Sequence, residues 1–224
     1  MIETDTTEIS DGPRAASGFF IALEGPEGAG KSTQATALRS EISRAGFPVV
    51  LTREPGGTAV GEQIRAVVLD QSNCAMLPET EVLLYAAARA QHVGEVLRPA
   101  LESGAVVICD RYVDSTFAYQ GGGRQLDMST LKSIQQYATG GLAPDLRVLL
   151  DLPVEVGLQR RLADAVEVNR LDVAEPGFHR RVRDAFLGLA SEDPDGWVVI
   201  DASATPDQVT SAVLSAVMPR LLRR

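Results

Sequence analysis

Eight residues near the start of the chain, Gly-Pro-Glu-Gly-Ala-Gly-Lys-Ser at positions 25–32, constrain the fold more than any other segment. They match G-x-x-x-x-G-K-[ST], the pattern of a phosphate-binding loop. An apolar run at 19–23, typical of a buried strand, precedes them, and residues 31–45 have a helical pattern. A strand, a glycine-rich turn and a helix N-terminus direct backbone N–H groups and the positive helix end at one point. The sequence therefore predicts a nucleotide-binding loop, although glycine turns also join strands to helices for structural reasons alone.

The motif predicts a role for its last two residues. Lys31 is expected to reach the outer phosphates of the nucleotide, and Ser32 is expected to provide a hydroxyl ligand to Mg²⁺. We expect ATP to contact the loop and the first turn of the following helix, at Gly25, Glu27, Gly28, Ala29, Gly30, Lys31, Ser32 and Thr33.

Composition limits the classes of partner. The chain of 224 residues carries a formal net charge of −9, from 21 basic and 30 acidic residues, which argues against broad binding to nucleic acid or to a membrane surface. Local arginines can still bind phosphate ligands. The two cysteines fit no metal or disulfide spacing, and no signal peptide or apolar run near 18 residues is present, so we expect a cytoplasmic protein.

The order of apolar runs and helical patterns predicts the architecture. We expect strands at 18–24, 48–52, 105–110, 146–151 and 197–201, and helices at 31–45, 60–69, 79–103, 129–139, 154–163, 178–190 and 206–218. Strands that alternate with helices indicate a parallel sheet that is covered on both faces. Together with the phosphate loop, they predict an α/β fold of the P-loop NTPase class with five parallel strands. We expect one domain over 18–224, preceded by a polar, disordered tail over 1–17.

Charged residues follow the predicted strand that ends at 110. A carboxylate such as Asp110, at the tip of a buried strand beside a phosphate loop, is typical of a second anchor for Mg²⁺ and its water shell. The next residue, Arg111, offers a planar fork that suits a second phosphate. The alternative is that Asp110 and Arg111 cap the strand and pair with each other.

Two further segments are candidates for the same cleft. Arg53 follows the second predicted strand in a turn rich in Pro and Gly, which would hold it toward the cleft, unless it is an ordinary surface arginine. Tyr85 and Arg89 are four residues apart on one helix face, where an aromatic plane and a guanidinium can hold a base. Taken alone, a tyrosine against the core beside a solvated arginine explains this pair better.

Five segments, in this order along the chain, resemble the thymidylate kinase family. They are residues 20–33, Thr-Arg-Glu-Pro-Gly-Gly-Thr at 52–58, Tyr-Ala-Ala-Ala-Arg-Ala-Gln-His at 85–92, Asp-Arg-Tyr-Val-Asp-Ser-Thr-Phe-Ala-Tyr-Gln-Gly-Gly at 110–122, and Pro-Asp-Leu at 144–146. The segment 110–122 is the most specific of them. The resemblance implies a homodimeric kinase that transfers the γ-phosphoryl group of ATP to dTMP in dTTP biosynthesis, with Mg²⁺ as cofactor.

The resemblance also implies roles for single residues. Arg53 and Arg111 would hold the dTMP phosphate, and Glu27 would lie near the sugar 3′-hydroxyl. Tyr85 would stack on thymine, and Arg89 would bond the edge of the base. With the resemblance, a binding role for this pair is therefore favoured over a tyrosine against the core beside a solvated arginine. The residues implied to bind dTMP are Glu27, Arg53, Tyr85, Arg89, Arg111, Ser115, Thr116, Tyr119 and Gln120; those expected to hold the metal are Ser32 and Asp110.

The resemblance is weakest at the lid, the segment that closes over ATP in the family. Residues 26–29 of the loop contain no arginine, so the family pattern implies that a lid segment, over about 160–176, supplies one. Arg160, Arg161 and Arg170 are available, and residues 163–168 lack the Arg and Gly of many relatives, so the choice stays open. The residues expected to be catalytic are Lys31, Arg111, Arg161 and Arg170.

Other functions share the phosphate loop. A kinase for another nucleoside monophosphate would carry out the same reaction, but an apolar, aromatic pocket with one arginine suits thymine. A nucleotide-dependent switch or partitioning ATPase has no need of arginines after two strands. A catalytically inactive binding module has no need of intact Lys31, Ser32 and Asp110.

Overall fold

The computed structural model describes residues 18–164, 169–172 and 174–223. The predicted tail over 1–17 therefore lies outside the described residues, as do residues 165–168 and 173 of the predicted lid.

Five strands form one sheet. They are β1 (Phe19–Glu24), β2 (Val49–Arg53), β3 (Val106–Asp110), β4 (Leu146–Asp151) and β5 (Trp197–Asp201). Their order in the sheet is β2-β3-β1-β4-β5, and every pair of neighbours is parallel. Each strand begins and ends within one residue of its predicted limits. The predicted α/β class and the five-stranded parallel sheet are confirmed.

Helices connect the strands, as parallel pairing requires. They are α1 (Lys31–Arg44), α2 (Ala59–Leu69), α3 (Pro78–His92), α4 (Arg98–Glu102), α5 (Val113–Thr116), α6 (Met128–Thr139), α7 (Val154–Asp164), α8 (Pro176–Glu192) and α9 (Pro206–Leu221). A 3₁₀ turn covers Gln71–Asn73, and π-helical segments cover Val93–Leu97 and Phe117–Gly123. Within the described part of the chain, no helix is both long enough and apolar enough to cross a membrane.

The central strand β1 shows how the two faces of the sheet are covered. Its side chains are buried and alternate between faces, as strand geometry requires. Phe19, Ile21 and Leu23 belong to a core with residues of α1 and α9, whereas Phe20 and Ala22 belong to another core with residues of the 93–97 segment and Tyr112. Helices therefore cover both faces, as predicted.

The predicted helix over 79–103 is interrupted by a change of winding. The chain stays helical from α3 to α4, but Val93–Leu97 between them forms a π-helical segment. Pro99 has no N–H to donate, and its ring collides with a carbonyl one turn earlier, which explains why regular α-helical bonding ends before it.

Helix α5 and the π-helical segment that follows it were not predicted. The three glycines at 121–123 argue against a helix in sequence, because glycine is a poor helix former. Tertiary packing reverses this preference: a Cβ atom on Gly122 would lie 2.5 Å from the Ala185 Cβ, and one on Gly123 would lie 2.5 Å from the Phe178 ring. The glycines let α8 approach closely, and this packing places Tyr119 and Gln120 on the cleft.

The parallel strands bring their carboxyl ends to one edge of the sheet. Arg53 of β2 lies opposite Asp110 of β3, and Leu23 of β1 also lies opposite Asp110. At this edge the phosphate loop follows β1, so the charged residues predicted to bind ligands converge there.

Candidate active site

The phosphate loop wraps closely around the end of β1. Gly25, Gly28 and Gly30 have φ angles of 142°, 70° and 82°, which favour glycine. A Cβ atom on Gly28 would lie 2.0 Å from the carbonyl oxygen of Gly157, so the loop packs directly on the backbone of α7. This path leads into the N-terminus of α1 at Lys31, where the first backbone N–H groups have no partner within the helix and no side chain caps them.

Lys31 lies across the loop. Its ammonium donates to the carbonyl oxygens of Gly25 at 3.0 Å and Pro26 at 2.8 Å, and the residue is buried. Burial, together with the positive charge of Arg111, lowers the pKa of Lys31 to about 8, although Glu27 and other carboxylates oppose the shift. A ligand phosphate beside this ammonium would add negative charge and favour its protonated form.

Ser32 and Asp110 meet at the mouth of the loop. The Ser32 hydroxyl donates to Asp110 Oδ2 at 2.6 Å, although the two residues are 78 positions apart. Among the described residues, no group of three or more His, Cys, Asp or Glu side chains could hold a metal. Two protein oxygens fit Mg²⁺, because this ion keeps several waters and takes its other ligands from substrate phosphates.

Arg111 connects the phosphate loop to the helix after β3. Its φ angle is 73°, in the left-handed region. The guanidinium donates to the Gly25 carbonyl at 3.1 Å, the Ser115 hydroxyl at 3.2 Å, Glu27 Oε1 at 3.0 Å and the Tyr119 hydroxyl at 3.0 Å. Burial alone would lower the pKa of Arg111, but Tyr119 and Glu27 raise it, so the guanidinium stays charged.

Glu27 is the anionic partner in this network. Its Oε1 accepts from Arg111 at 3.0 Å and from the Tyr119 hydroxyl at 2.9 Å. Burial would raise the pKa of Glu27, but Arg111, Lys31 and the Tyr119 hydrogen bond lower it to about 2. The loop therefore presents a permanent carboxylate beside two cations.

Glu24, at the end of β1, supports the turn that carries Arg111. It is fully buried and accepts from the Tyr112 backbone N–H at 2.8 Å and from the Ser115 hydroxyl at 2.6 Å. Burial and the neighbouring Asp114 raise the pKa of Glu24 to about 8. By bonding the residue that follows Arg111, Glu24 stabilises the left-handed conformation there.

Arg53 lies on the opposite side of the cleft. Its guanidinium donates to both carboxylate oxygens of Glu62, at 3.1 and 2.9 Å. Glu62 also accepts from the Gly57 backbone N–H at 3.0 Å, and the Glu54–Pro55 peptide bond in this turn is cis. Glu62 of α2 thus orients both the Arg53 guanidinium and the turn that follows β2.

Arg89 is buried in a set of hydrogen bonds. It donates through Nε to Glu54 Oε2 at 2.6 Å, to the Thr116 hydroxyl and the Tyr112 carbonyl at 3.1 Å each, and also to Gln135 Oε1. This placement excludes the solvated arginine considered in the sequence analysis, because Arg89 is 2% exposed.

Tyr85, one helical turn before Arg89, lies on the wall of the cleft. It is almost buried, and burial raises the pKa of its hydroxyl, which stays protonated. On the same side, Gln120 donates to Glu81 Oε1 at 2.7 Å, which fixes the orientation of its amide. An aromatic ring and oriented polar groups thus face the space between β2 and α5.

These residues enclose a cleft of about 730 Å³. Nearly all the residues expected to form the site line it: Glu27, Gly28, Ala29, Gly30, Lys31, Ser32, Thr33, Arg53, Tyr85, Arg89, Asp110, Arg111, Ser115, Thr116, Tyr119, Gln120 and Arg161. Gly25 contributes its carbonyl oxygen to Lys31 and Arg111 but is not on the wall.

The three arginines of the predicted lid have different surroundings. Arg161 lines the cleft and pairs with Asp172 through contacts of 2.9 to 3.1 Å. Arg160 also lines it and donates to the carbonyl of Ala202 at 2.8 Å.

Arg170 does not line the cleft. It is buried, pairs with Glu81 and donates to the Val68 carbonyl at 3.2 Å. The structure therefore brings Arg161 to the site and leaves Arg170 in the support of α2 and α3. The catalytic role of Arg170 stays a prediction, and this placement does not bring its side chain to the cleft.

Comparison with known proteins identifies the family. The model of the family described as thymidylate kinase matches residues 23–213. The chain is 53% identical to the thymidylate kinase of Thermomicrobium roseum over 199 residues, which cover 89% of this chain and 94% of that protein. The chain belongs to the thymidylate kinase family. The thymidylate kinase of Limosilactobacillus fermentum is 51% identical over 91% of this chain and 96% of its own length, and that of Herpetosiphon aurantiacus is 46% identical with the same coverage.

The comparisons confirm what the sequence motifs predicted about the class of protein. It is a P-loop NTPase fold of the thymidylate kinase family, whose members are nucleoside monophosphate kinases. The roles of the single residues stay predictions, to which the geometry adds contacts.

Several residues that line the cleft of this thymidylate kinase family member, or that hold its arginines, were not predicted from the sequence. Glu54 and Glu62 hold the arginines, and Arg65 of α2 lines the cleft and donates to the Pro55 carbonyl at 3.0 Å. Glu54 stands beside Arg53 in a predicted motif, and Arg65 lies four residues before the end of a predicted helix, so their positions in the sequence are signals for both. Glu24 is the last residue of the first predicted strand, but nothing in the sequence shows which backbone N–H its carboxylate would accept from.

Proposed function

We propose that this protein transfers the γ-phosphoryl group of ATP to dTMP, which gives dTDP and ADP. The observation that carries the proposal is the network of Arg111, Glu27 and Lys31, because it places the phosphate loop and the acceptor side of the cleft in direct contact. A kinase for a nucleoside monophosphate needs both substrates within reach of one another, and this network supports that arrangement.

The donor binds at the phosphate loop in this proposal. Backbone N–H groups of residues 28–33 and the Lys31 ammonium hold the phosphates of ATP. Ser32 and Asp110 would hold Mg²⁺, which neutralises charge on the outer phosphate oxygens when it is bound. The apolar wall formed by Ala204, Pro206 and Val209, at the other end of the cleft, suits the adenine base.

The acceptor binds between the phosphate loop and α3. Arg53 and Arg111 hold the phosphate of dTMP, and Glu27 accepts a hydrogen bond from the sugar hydroxyl. Tyr85 stacks on thymine, and Arg89, which lines the cleft, bonds the edge of the base. Ser115, Thr116, Tyr119 and Gln120 complete the wall around the base and the sugar.

Transfer requires that the two phosphates lie in line and that charge between them is neutralised. An oxygen of the dTMP phosphate forms the new bond to the γ-phosphorus as the bond to the leaving ADP oxygen breaks. That oxygen is already ionised, so no dedicated general base is needed. Lys31, Arg111 and Arg161 stabilise the charge, and Arg161 belongs to the lid over about 160–176.

The quaternary state and the location are part of the same proposal. We expect a homodimer, which is supported by the exposed apolar side chains of Val60 and Val67 on α2 and Leu83 on α3, at 46%, 47% and 58% exposure. Leu83→Glu is expected to give a monomer in light scattering. The free thiols of Cys74 and Cys109 support a cytoplasmic location.

An acceptor panel tests the proposed activity. The purified protein, with ATP and Mg²⁺, is scored for diphosphate formation from dTMP, dUMP, dCMP, GMP and AMP, and a Lys31→Ala preparation controls for contaminating kinases. We expect dTMP to be preferred, and dUMP to follow at a cost of about 1–3 kcal/mol for the missing methyl group. Preference for another acceptor contradicts the proposal. Slow ATP hydrolysis without any transfer would favour a nucleotide-dependent switch.

A further inference from the structure

His92, the last residue of α3, is fully buried behind the cleft. Both of its ring nitrogens have partners: Nε2 lies 2.7 Å from the Thr52 hydroxyl, and Nδ1 lies 2.9 Å from Glu54 Oε1. Thr52 and Glu54 are the two neighbours of Arg53 in the chain. One imidazole therefore contacts the side chains on both sides of an arginine that lines the cleft.

The Glu54 carboxylate extends this arrangement to a second arginine. Its other oxygen, Oε2, accepts from Arg89 Nε at 2.6 Å, and all three side chains are almost completely buried. Arg89 and His92 are three residues apart, on one face of α3. The Glu54 carboxylate thus links Arg89, which we assign to the base, to the loop that carries Arg53, which we assign to the phosphate.

One tautomer of the ring satisfies both contacts. A carboxylate oxygen accepts, so the hydrogen on Nδ1 is directed at Glu54. In the neutral ring, Nε2 is then the acceptor for the Thr52 hydroxyl. The loop also packs onto the ring, since a Cβ atom on Gly57 would lie 2.8 Å from His92 Cδ2 and 2.7 Å from Thr52 Oγ1. The ring therefore fits the loop by shape as well as by hydrogen bonds.

We propose that His92 is a positioning residue for the acceptor substrate: it holds the loop of Arg53 at both ends and links it to Arg89. The inference rests on the proposed assignment of Arg53 and Arg89 to dTMP. The contacts of His92 all lie on the acceptor side of the cleft, and none of them is made to the phosphate loop. The inference therefore predicts different effects on the two substrates. Loss of the imidazole weakens acceptor binding and leaves donor binding unchanged.

The test compares three variants by calorimetric titration of dTMP and of a non-hydrolysable ATP analogue. His92→Leu removes both hydrogen bonds, His92→Asn keeps a donor near the position of Nδ1, and His92→Gln keeps an amide near the position of Nε2. We expect His92→Leu to weaken dTMP binding about tenfold to a hundredfold, since small misplacements of a positioning group have effects of this size. Affinity for the ATP analogue stays unchanged, and His92→Asn restores part of the dTMP affinity.

Two controls separate positioning from general damage. Val93→Ala removes buried volume at the residue that follows α3 in the chain, so it lowers thermal stability without removing a hydrogen bond of the Arg53 loop. It is expected to leave dTMP affinity unchanged. Arg53→Ala tests the underlying assignment: unchanged dTMP binding in that variant overturns the role of Arg53 itself. Weakened binding in Arg53→Ala together with unchanged binding in His92→Leu overturns the inference on His92.

Two further results would also overturn the inference. Equal losses of dTMP and ATP-analogue affinity in the His92 variants would show a general structural role. The second readout is ¹⁵N NMR of the imidazole, which is simple to assign because the chain has 2 histidines. We expect the Nδ1–H form for the signal that disappears in His92→Asn, and the Nε2–H form contradicts the proposed contacts.

Discussion

The two halves of the cleft hold their arginines in different ways. On the acceptor half, Arg89 and Arg111 have side chains that are 3% and 16% exposed and are tied to the carboxylates of Glu54 and Glu27. On the lid half, Arg161 is 30% exposed and pairs with Asp172. Leaving a buried carboxylate strands a charge in a poorly solvated place, and this applies to Glu54, to Glu27 and also to Asp172, whose side chain is 0% exposed. The halves therefore differ in the arginines themselves: the Arg161 guanidinium lies nearer to solvent, whereas those of Arg89 and Arg111 are enclosed by protein before ligands bind.

The largest expected effect comes from the lid half. Arg161→Ala removes the cation that we propose covers the transferring group, and we expect kcat to fall by ~10³ or more, in line with arginines in related phosphoryl-transfer systems. The dissociation constant for dTMP is expected to change little, because Arg161 lies outside the acceptor network. Steady-state kinetics and calorimetry measure the two effects. Arg160→Ala is the matched control, and an Arg161→Ala enzyme with near-normal kcat contradicts the role.

Arg170, close to Arg161 in sequence, is expected to behave differently. Its removal breaks a buried ion pair with Glu81, which typically costs about 3 kcal/mol or more of the free energy of unfolding. Burial would raise the pKa of Glu81, but Gln120, Arg170 and Arg124 lower it below its ordinary value of 4.5. Stability from this lowered pKa is present above pH 4.5 and disappears as the pH falls through the folded-state value.

Urea unfolding of Arg170→Ala measures this difference. We expect a clear loss of stability at pH 7 and a smaller loss at acidic pH, with kcat of the folded enzyme close to that of the parent. A drop in kcat as large as that of Arg161→Ala, without a loss of stability, would instead make Arg170 catalytic and would remove the contrast between the two arginines.

The pH dependence of donor binding is a smaller effect. The pKa of Lys31 in the free protein is lowered to about 8, and phosphates raise it on binding, so ATP binding takes up a proton above pH 8. Affinity for an ATP analogue is then expected to fall about fivefold to tenfold between pH 8 and pH 9. Calorimetry in buffers of different ionisation enthalpy detects the proton. Lys31→Arg is the control, since a guanidinium does not titrate there.

The smallest effect is expected at the wall of the acceptor half. Tyr85→Phe keeps the ring that stacks on the base, so the dissociation constant for dTMP is expected to stay within about twofold, whereas Tyr85→Ala loses about 1–3 kcal/mol of stacking. Direct titration with dTMP distinguishes the two. A large loss in Tyr85→Phe would mean that the hydroxyl, rather than the ring face, recognises the acceptor.

Most of the fold could be predicted because its signals are local. The apolar runs that became β1 and β3 are buried from end to end, and the strand limits follow from them. Helix α5 and the segment after it could not be predicted in this way. Their glycines argue against a helix locally, and the reason for them is the close approach of Phe178 and Ala185 from α8.

The candidate site divides in the same way. Lys31, Ser32, Asp110 and Arg111 stand in motifs whose spacing predicts their chemistry, and the structure places all four on one cleft. The carboxylates that orient the arginines were not predicted, since an acidic residue in a sequence carries no sign of its partner. Glu81 shows this best, because its partners Gln120 and Arg170 are 39 and 89 positions away.

The sequence by itself determined the phosphate loop, the parallel sheet and the family, because each depends on residues that are close together in the chain. Tertiary structure decided which arginines line the cleft. Arg161 reaches the cleft and Arg170 does not, and His92 stands behind Arg53, because helices from distant parts of the chain pack together and bury these groups beside particular carboxylates. A charge that is withdrawn from water must have a partner, and only the folded chain determines which partner is near.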